Sequence, residues 1–188
     1  LAIASAPEAP ESWYESADIY FHYGPLLGVS DWQDRAEARM ERAADLDPTF
    51  AAPVAHLLEL AAIRGDPEAI RAYREAYAAV DTAGDTSWFT QWRAASALGD
   101  RSELEEIHRR FPDLEGSSLS RIMGMAQLYD SSLASARRAA SILAQRAGSP
   151  TQRWEWLLGR HSLALNRGRP QEALALIREW AEVEGSPG

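Results

Sequence analysis

The chain has 188 residues, with 28 acidic side chains, 19 basic ones and a formal net charge of -9. This length is enough to bury a sizeable core, either as one domain or as a continuous stack of repeats. The chain contains no cysteine, which excludes disulfides, thiolate metal ligands and cysteine-based catalysis. A nucleic-acid interface is not expected either, because the one candidate basic patch is a loose set of arginines between residues 121 and 146.

Residues 1–11 have the composition of a linker or a tag-proximal tail. A short apolar stretch, too short to cross a bilayer, is followed there by prolines and acidic residues. The chain opens without an initiator methionine, and we expect it to be an excised piece of a larger protein. No stretch approaches eighteen apolar residues in a row, so membrane insertion is not expected.

From residue 12 onward the apolar residues recur at helical spacing, and no stretch alternates convincingly with period two. The sequence therefore predicts an all-α fold. Prolines, glycines, serines and aspartates mark the helix ends, as at Pro48, which cannot continue the helix before it. The predicted helices cover residues 12–31, 31–46, 51–64, 67–80, 86–98, 102–110, 117–129, 132–147, 151–167 and 170–184.

Three segments resemble one another and indicate an internal repeat. They read GDPEAIRAYREAY from Gly65, GDRSELEEIHRRF from Gly99 and GRPQEALALIREW from Gly168. Each opens with a glycine that can end one helix and continues into the next, which is typical of a helix, tight turn and helix. The repeat period is about 34 residues and predicts a further helix near residue 138. Close helix approach is expected at small residues in equivalent positions: Ala36, Ala43, Ala69 and Ala76.

Residues 17–50 carry the most specific pattern, formed by Tyr20, Tyr23, Gly24, Leu27, Ala36, Met40, Ala43 and Pro48. In this register the sequence resembles the tetratricopeptide repeat family. Later units depart from the pattern, since Leu58 and Trp92 stand where the family has a glycine. The resemblance implies a right-handed solenoid of about five antiparallel helix hairpins in a single domain over residues 12–185, with a short tail at 186–188. Its units would be residues 17–50, 51–83, 85–113, 114–148 and 149–184.

No catalytic constellation is evident in the sequence. The four histidines lie on different predicted helices, and nothing resembles a metalloprotease helix, a phosphate-binding loop or a nucleophile elbow. His56 and Glu59 lie three residues apart on one helical face, but no second such pair completes a ligand set. The prediction is therefore a chain without enzymatic activity, cofactor or metal.

Candidate binding residues come from the first helices of the predicted hairpins. If Tyr20, Tyr23, Leu57, Trp88 and Trp92 face the core, other side chains of the same helices project toward the concave side. Most of the seven tryptophans are expected in the core, with at least one of Trp154 and Trp156 at a surface. A mixture of aromatic and directional polar groups is typical of a binding patch. The predicted concave-face residues are Phe21, His22, His56, Glu59, Phe89 and Arg93.

The resemblance implies a non-catalytic scaffold that binds a peptide or partner segment in its concave groove, as part of a larger regulatory protein. Bacterial members of the family often accompany a protein kinase or a transcription regulator. A small-molecule-sensing regulatory domain is the alternative. Family members that clamp a terminal carboxylate use lysine and asparagine in a pattern that is missing here. The sequence leaves the oligomeric state open and favours the cytoplasm over the extracytoplasmic part of a membrane-tethered protein.

Overall fold

A computed structural model describes residues 2–80, 85–130 and 133–182. Within these ranges the protein is all-α, with eleven α-helices, one short 3-10 turn at Phe111–Asp113 and no strand, which confirms the predicted fold class. None of the described helices combines the length and the apolar character that crossing a membrane requires. The helices are α1 Ala2–Ser5, α2 Pro10–Tyr23, α3 Trp32–Leu46, α4 Ala51–Arg64, α5 Pro67–Val80, α6 Asp85–Leu98, α7 Arg101–Arg110, α8 Gly116–Tyr129, α9 Ala134–Arg146, α10 Pro150–Asn166 and α11 Pro170–Ala181.

Most of these bounds lie within a few residues of the predicted ones. The helix expected near residue 138 is α9, although residues 131–132 at its predicted start lie outside the described residues. The segment assigned to a linker or a tag-proximal tail contains the four-residue helix α1, and its role as a linker stays a prediction. One prediction at the amino-terminal end is wrong, since α2 ends at Tyr23 instead of residue 31. Pro25 has no N–H to continue the hydrogen-bond ladder of α2, and turns follow as far as Gly28, whose φ is 69°.

The glycine turns of the three similar segments have the conformation that the sequence predicts. Gly65, Gly99 and Gly168 adopt the left-handed region, with φ of 68°, 68° and 67°. Gly65 and Gly99 come directly after α4 and α6, and Gly168 follows α10 after one intervening residue, Arg167. Only glycine reaches this region without a steric penalty from Cβ. Asp100 then caps α7, since its carboxylate accepts a hydrogen bond from the backbone N–H of Glu103 at 3.1 Å. These segments are confirmed as helix, tight turn and helix.

The helices form two compact units, Leu1–Ala83 and Gly84–Gly188. The predicted single continuous array over residues 12–185 stays a prediction. In the first unit α2 packs on α3, α3 on α4 and α4 on α5. Its core contains Ala17, Ala36, Met40, Leu57 and Leu60.

Close packing at small residues holds for α3 but not for α5. Ala36 and Ala43 are fully buried, whereas Ala69 is half-buried and Ala76 is exposed. The residues that α5 buries are larger, Ile70 and Tyr77. Because burying those side chains removes more apolar area from water than burying two alanines, the buried stripe of α5 is rotated from the predicted one.

The predicted core residues of the first unit are also only partly correct. Leu57 is buried and Tyr20 packs against the core, but the side chain of Tyr23 is 56% exposed. This difference follows from the early end of α2, since Tyr23 is its last residue. Leu27, which was matched to the repeat pattern, lies in the turn beyond α2 and is 70% exposed.

In the second unit the main core is built by α6, α7, α8 and α9, and α8 also packs on α10. Trp92 is fully buried in this core, and Trp88 packs against it half-buried. A smaller cluster joins α10 to α11 through Leu157, Ala164, Ala173 and Leu176. Trp156 packs against both clusters, while Trp154 is half-buried and lines a surface groove, as expected for one of the two.

Candidate functional site

Three of the predicted binding residues meet on the first unit. Phe21 and His22 lie on α2, and His56 lies on α4. The ring of Phe21 is 5.0 Å from that of His22 and 5.0 Å from that of His56, and the two histidine rings are 5.8 Å apart. We call the surface formed by Asp18, Phe21, His22 and His56 the α2–α4 surface.

The α2–α4 surface is anchored to the core on one side and open on the other. Phe21 is half-buried and its ring packs edge-on against Trp32, 6.0 Å away. The side chain of His22 is 51% exposed and that of His56 is 20% exposed. Tyr14 borders the surface, with its ring 5.7 Å from that of His56. Burial raises the pKa of the Tyr14 hydroxyl, and the negative charge of Asp18 raises it further. The surface therefore joins aromatic contacts to accessible polar groups.

Asp18 is the member of this surface that the sequence analysis missed. Its Oδ1 atom is 3.3 Å from Nε2 of His22 and 3.5 Å from Nε2 of His56. Asp18 and His22 are four residues apart and so lie on one face of α2. That spacing was visible in the sequence, but the third member comes from α4 and only the fold brings it close. The expectation of no metal site stays a prediction, although the sequence analysis did not anticipate that these three side chains approach one another.

His56 is held by a second contact on the opposite side of its ring. Its Nδ1 atom is 3.1 Å from the backbone carbonyl oxygen of Ala52, one turn earlier on α4. Since a carbonyl oxygen can only accept, Nδ1 carries the proton of this hydrogen bond. The contact fixes the ring orientation and directs Nε2 toward Asp18.

Glu59 lies on α4 one turn beyond His56 and is half-buried. The group of His and carboxylate atoms that approach one another closely contains Asp18, His22 and His56 and does not include Glu59. Glu59 therefore lies near the α2–α4 surface in sequence, but it is not one of the side chains brought together there.

Phe89 and Arg93 do not lie on an accessible face, and that part of the prediction is wrong. Both belong to the second unit, where Phe89 is 2% exposed and Arg93 is 5% exposed. Phe89 packs in the core beside Trp92, with ring centroids 5.6 Å apart. The guanidinium of Arg93 lies 4.7 Å from the centroid of the Phe89 ring, and that of Arg121 lies 4.3 Å from it. This pair stabilises the fold instead of forming a contact surface.

A buried polar network links three helical segments of the second unit. The indole N–H of Trp92 donates to Oγ of Ser135 at 3.0 Å, and Nε2 of His108 is 2.9 Å from the same oxygen. The backbone N–H of Ser135 donates to Asp130 at 3.0 Å. Burial lowers the pKa of His108, and the positive charge of Arg138 lowers it further, against smaller opposing effects of Asp130 and Glu105.

Because His108 lies in this buried network, we expect the folded protein to lose stability in mild acid. The folded state holds His108 with a pKa below its usual value of 6.5, so on acidification the unfolded chain takes up the proton first. The contribution of His108 is complete above about pH 6.5 and falls as the pH drops toward the folded-state pKa, by at most about 1.4 kcal/mol per pH unit.

Urea unfolding between pH 7.5 and pH 5 measures this effect. We expect His108→Gln to reduce the slope of unfolding free energy against pH, whatever its effect on absolute stability. An unchanged slope in this variant would show that His108 does not titrate differently in the two states.

Apart from the α2–α4 surface, a groove lies between α10 and α11 in the second unit. Its lining is almost wholly apolar and includes His161 as a polar residue. The rings of Trp154 and Trp180 stand 6.0 Å apart, edge to face, at this position. The lining residues are Trp154, Leu157, Leu158, His161, Leu176, Ile177 and Trp180, which we call the α10–α11 groove.

In comparisons with known proteins, the sequence matches no family model and shows no significant match to a curated protein.

Proposed function

We propose that the chain is a non-catalytic interaction module built as a tetratricopeptide-like array, a right-handed solenoid of about five antiparallel helix hairpins. It captures a peptide or flexible segment of a partner, as part of a larger regulatory protein. The resemblance of residues 17–50 and the recurring glycine turns at Gly65, Gly99 and Gly168 support the array.

The observation that best supports a binding role is that side chains of α2 and α4 come together at the α2–α4 surface. These are the first helices of two successive hairpins, which in such arrays contribute to one inner face. A half-buried aromatic beside exposed directional polar groups is the composition of a binding hot spot. Phe21 supplies apolar contact area, while His22 and Asp18 supply hydrogen-bonding groups at the same place.

Charge favours a basic partner segment. The first 50 residues contain ten acidic side chains and three arginines, and Asp18 is part of the surface itself. An acidic module attracts basic segments over distances of about a Debye length and orients them during encounter. Arginine-containing or lysine-containing peptides with an aromatic or aliphatic anchor are therefore the proposed ligand class.

Selection of peptides from a displayed random library on the immobilised chain tests this function. We expect basic peptides with an apolar anchor to be enriched, with binding that weakens as salt rises. The double variant Phe21→Ala with His22→Ala should weaken their binding at least about tenfold, because hot-spot truncation costs roughly 2 kcal/mol or more.

The matched control is Trp154→Ala with His161→Ala, which removes an aromatic and a histidine from the α10–α11 groove. Selection and binding are carried out with a chelator present, so that metal ions play no part. Loss of binding in the control variant alone would contradict the assignment to the α2–α4 surface, as would a selection that enriches no peptide.

A small-molecule-sensing domain is the second candidate, and the α10–α11 groove is the observation that favours it. Two tryptophans and several aliphatic side chains around one histidine form the kind of lining that small ligands use. Screening apolar metabolites by thermal shift distinguishes the two candidates, since a ligand that binds the folded state raises its melting temperature. A shift that Trp154→Ala abolishes would favour the sensor.

A further inference from the structure

We propose that Asp18, His22 and His56 form a binding site for a zinc-class divalent metal ion. One ligand atom from each of the three side chains lies within 4.8 Å of the other two. Two ligands come from α2 and the third from α4, so a bound ion would join two hairpins of the first unit through their side chains. The proposal is independent of partner capture, because it concerns the chain alone.

The separations fit the dimensions of a four-coordinate zinc ion. With zinc-to-ligand bonds of about 2.0–2.1 Å and tetrahedral angles, two ligand atoms stand about 3.3 Å apart. The Oδ1 atom of Asp18 lies 3.3 Å from Nε2 of His22 and 3.5 Å from Nε2 of His56. Any remaining adjustment falls to His22, whose 51% exposed side chain is open to solvent and can rotate.

The contact of His56 with Ala52 prepares this histidine as a ligand. Because Nδ1 donates its proton to the carbonyl oxygen, the neutral ring presents the lone pair of Nε2 to the carboxylate of Asp18. A metal ion placed between Nε2 and the carboxylate oxygen, which lie 3.5 Å apart, could accept a lone pair from each. A ring N–H donated to a backbone carbonyl is also the usual outer contact of metal-binding histidines.

The ligand types select the ion. Two imidazole nitrogens and one carboxylate oxygen suit zinc and its neighbours, whereas calcium and magnesium require sets made of oxygen. Three protein ligands leave a fourth position, and the exposure of His22 and Asp18 opens it to solvent. Water or a group from a bound partner would complete the coordination.

Titration of the chelator-treated chain, prepared without a histidine tag, with zinc chloride in a calorimeter tests the site. We expect one ion per chain, and cobalt chloride should give the intense visible absorption of a tetrahedral Co²⁺ site at the same stoichiometry. His22→Gln, His56→Gln and Asp18→Asn should each weaken zinc binding at least about tenfold, since even the loss of an outer contact of a metal ligand costs about 10- to 100-fold.

Glu59→Gln is the matched control, since this residue lies on α4 beside His56 but outside the group. It should leave zinc affinity unchanged. The exposed position of His22 makes His22→Gln the variant that folds most surely, and metal-free melting curves check each variant. The proposal is overturned if the wild-type chain binds no stoichiometric zinc, or if His22→Gln binds it as tightly as wild type. A loss in Glu59→Gln equal to that in Asp18→Asn would equally reject this ligand set.

Discussion

Phe89→Ala should lower the free energy of unfolding by about 3–5 kcal/mol, the usual cost of truncating a buried phenylalanine. The ring is 2% exposed and packs in the core beside Trp92. Its removal leaves a cavity and takes away the aromatic face on which the guanidinium groups of Arg93 and Arg121 lie. Chemical denaturation followed by tryptophan fluorescence measures the loss.

Phe21→Ala is the comparison, because it makes the same substitution at a half-buried ring. It should cost less than half as much as Phe89→Ala, since part of the Phe21 side chain is already in contact with water. Equal stability of Phe89→Ala and wild type would contradict the core position of Phe89 and restore it as a candidate contact residue.

Ala43→Arg should cost about 3 kcal/mol or more, because a long charged side chain is forced into a fully packed position. Ala43 is completely buried on α3. Ala38→Arg places the same side chain on the exposed face of the same helix and should change stability by about 0.5 kcal/mol or less. Thermal melting of the two variants beside wild type checks the pair, and similar melting temperatures would place the buried face of α3 elsewhere.

The helix ends were largely predictable because they depend on local chemistry. Pro48 follows the end of α3, and Gly65 ends α4 through a backbone conformation that other residues rarely adopt. The early end of α2 had a local signal too, in Pro25. The tyrosines before it and the leucines after it continue the apolar pattern of a helix, and this pattern outweighed the proline in the prediction.

The position of Phe89 was not predictable in the same way. Helix α6 buries residues around most of its circumference, including Ser87, Thr90 and Ser96. The prediction placed Trp88 and Trp92 in the core and other side chains of the same helix on an open side, whereas none of the described side chains of α6 is exposed. Periodicity identifies the apolar face of a half-buried helix, but it cannot recognise a helix that is surrounded by its neighbours.

The α2–α4 surface was predictable in part. The aromatic and histidine residues of α2 and α4 were assigned to one face because they point away from the predicted core residues of the first helices of the predicted hairpins. Asp18 was missed, since its role depends on the distance between two helices and on which way the His56 ring turns. Sequence spacing reports the i,i+4 contact with His22, whereas the contact with His56 arises only from packing.

The most direct test of partner capture through the α2–α4 surface is amide hydrogen exchange. It compares the chain with and without a selected basic peptide, in the presence of chelator. We expect peptide binding to slow exchange in α2 and α4 and to leave α10 and α11 unchanged, and we expect Phe21→Ala with His22→Ala to abolish the effect. Protection confined to α10 and α11, or exchange that no bound peptide alters, would contradict this expectation.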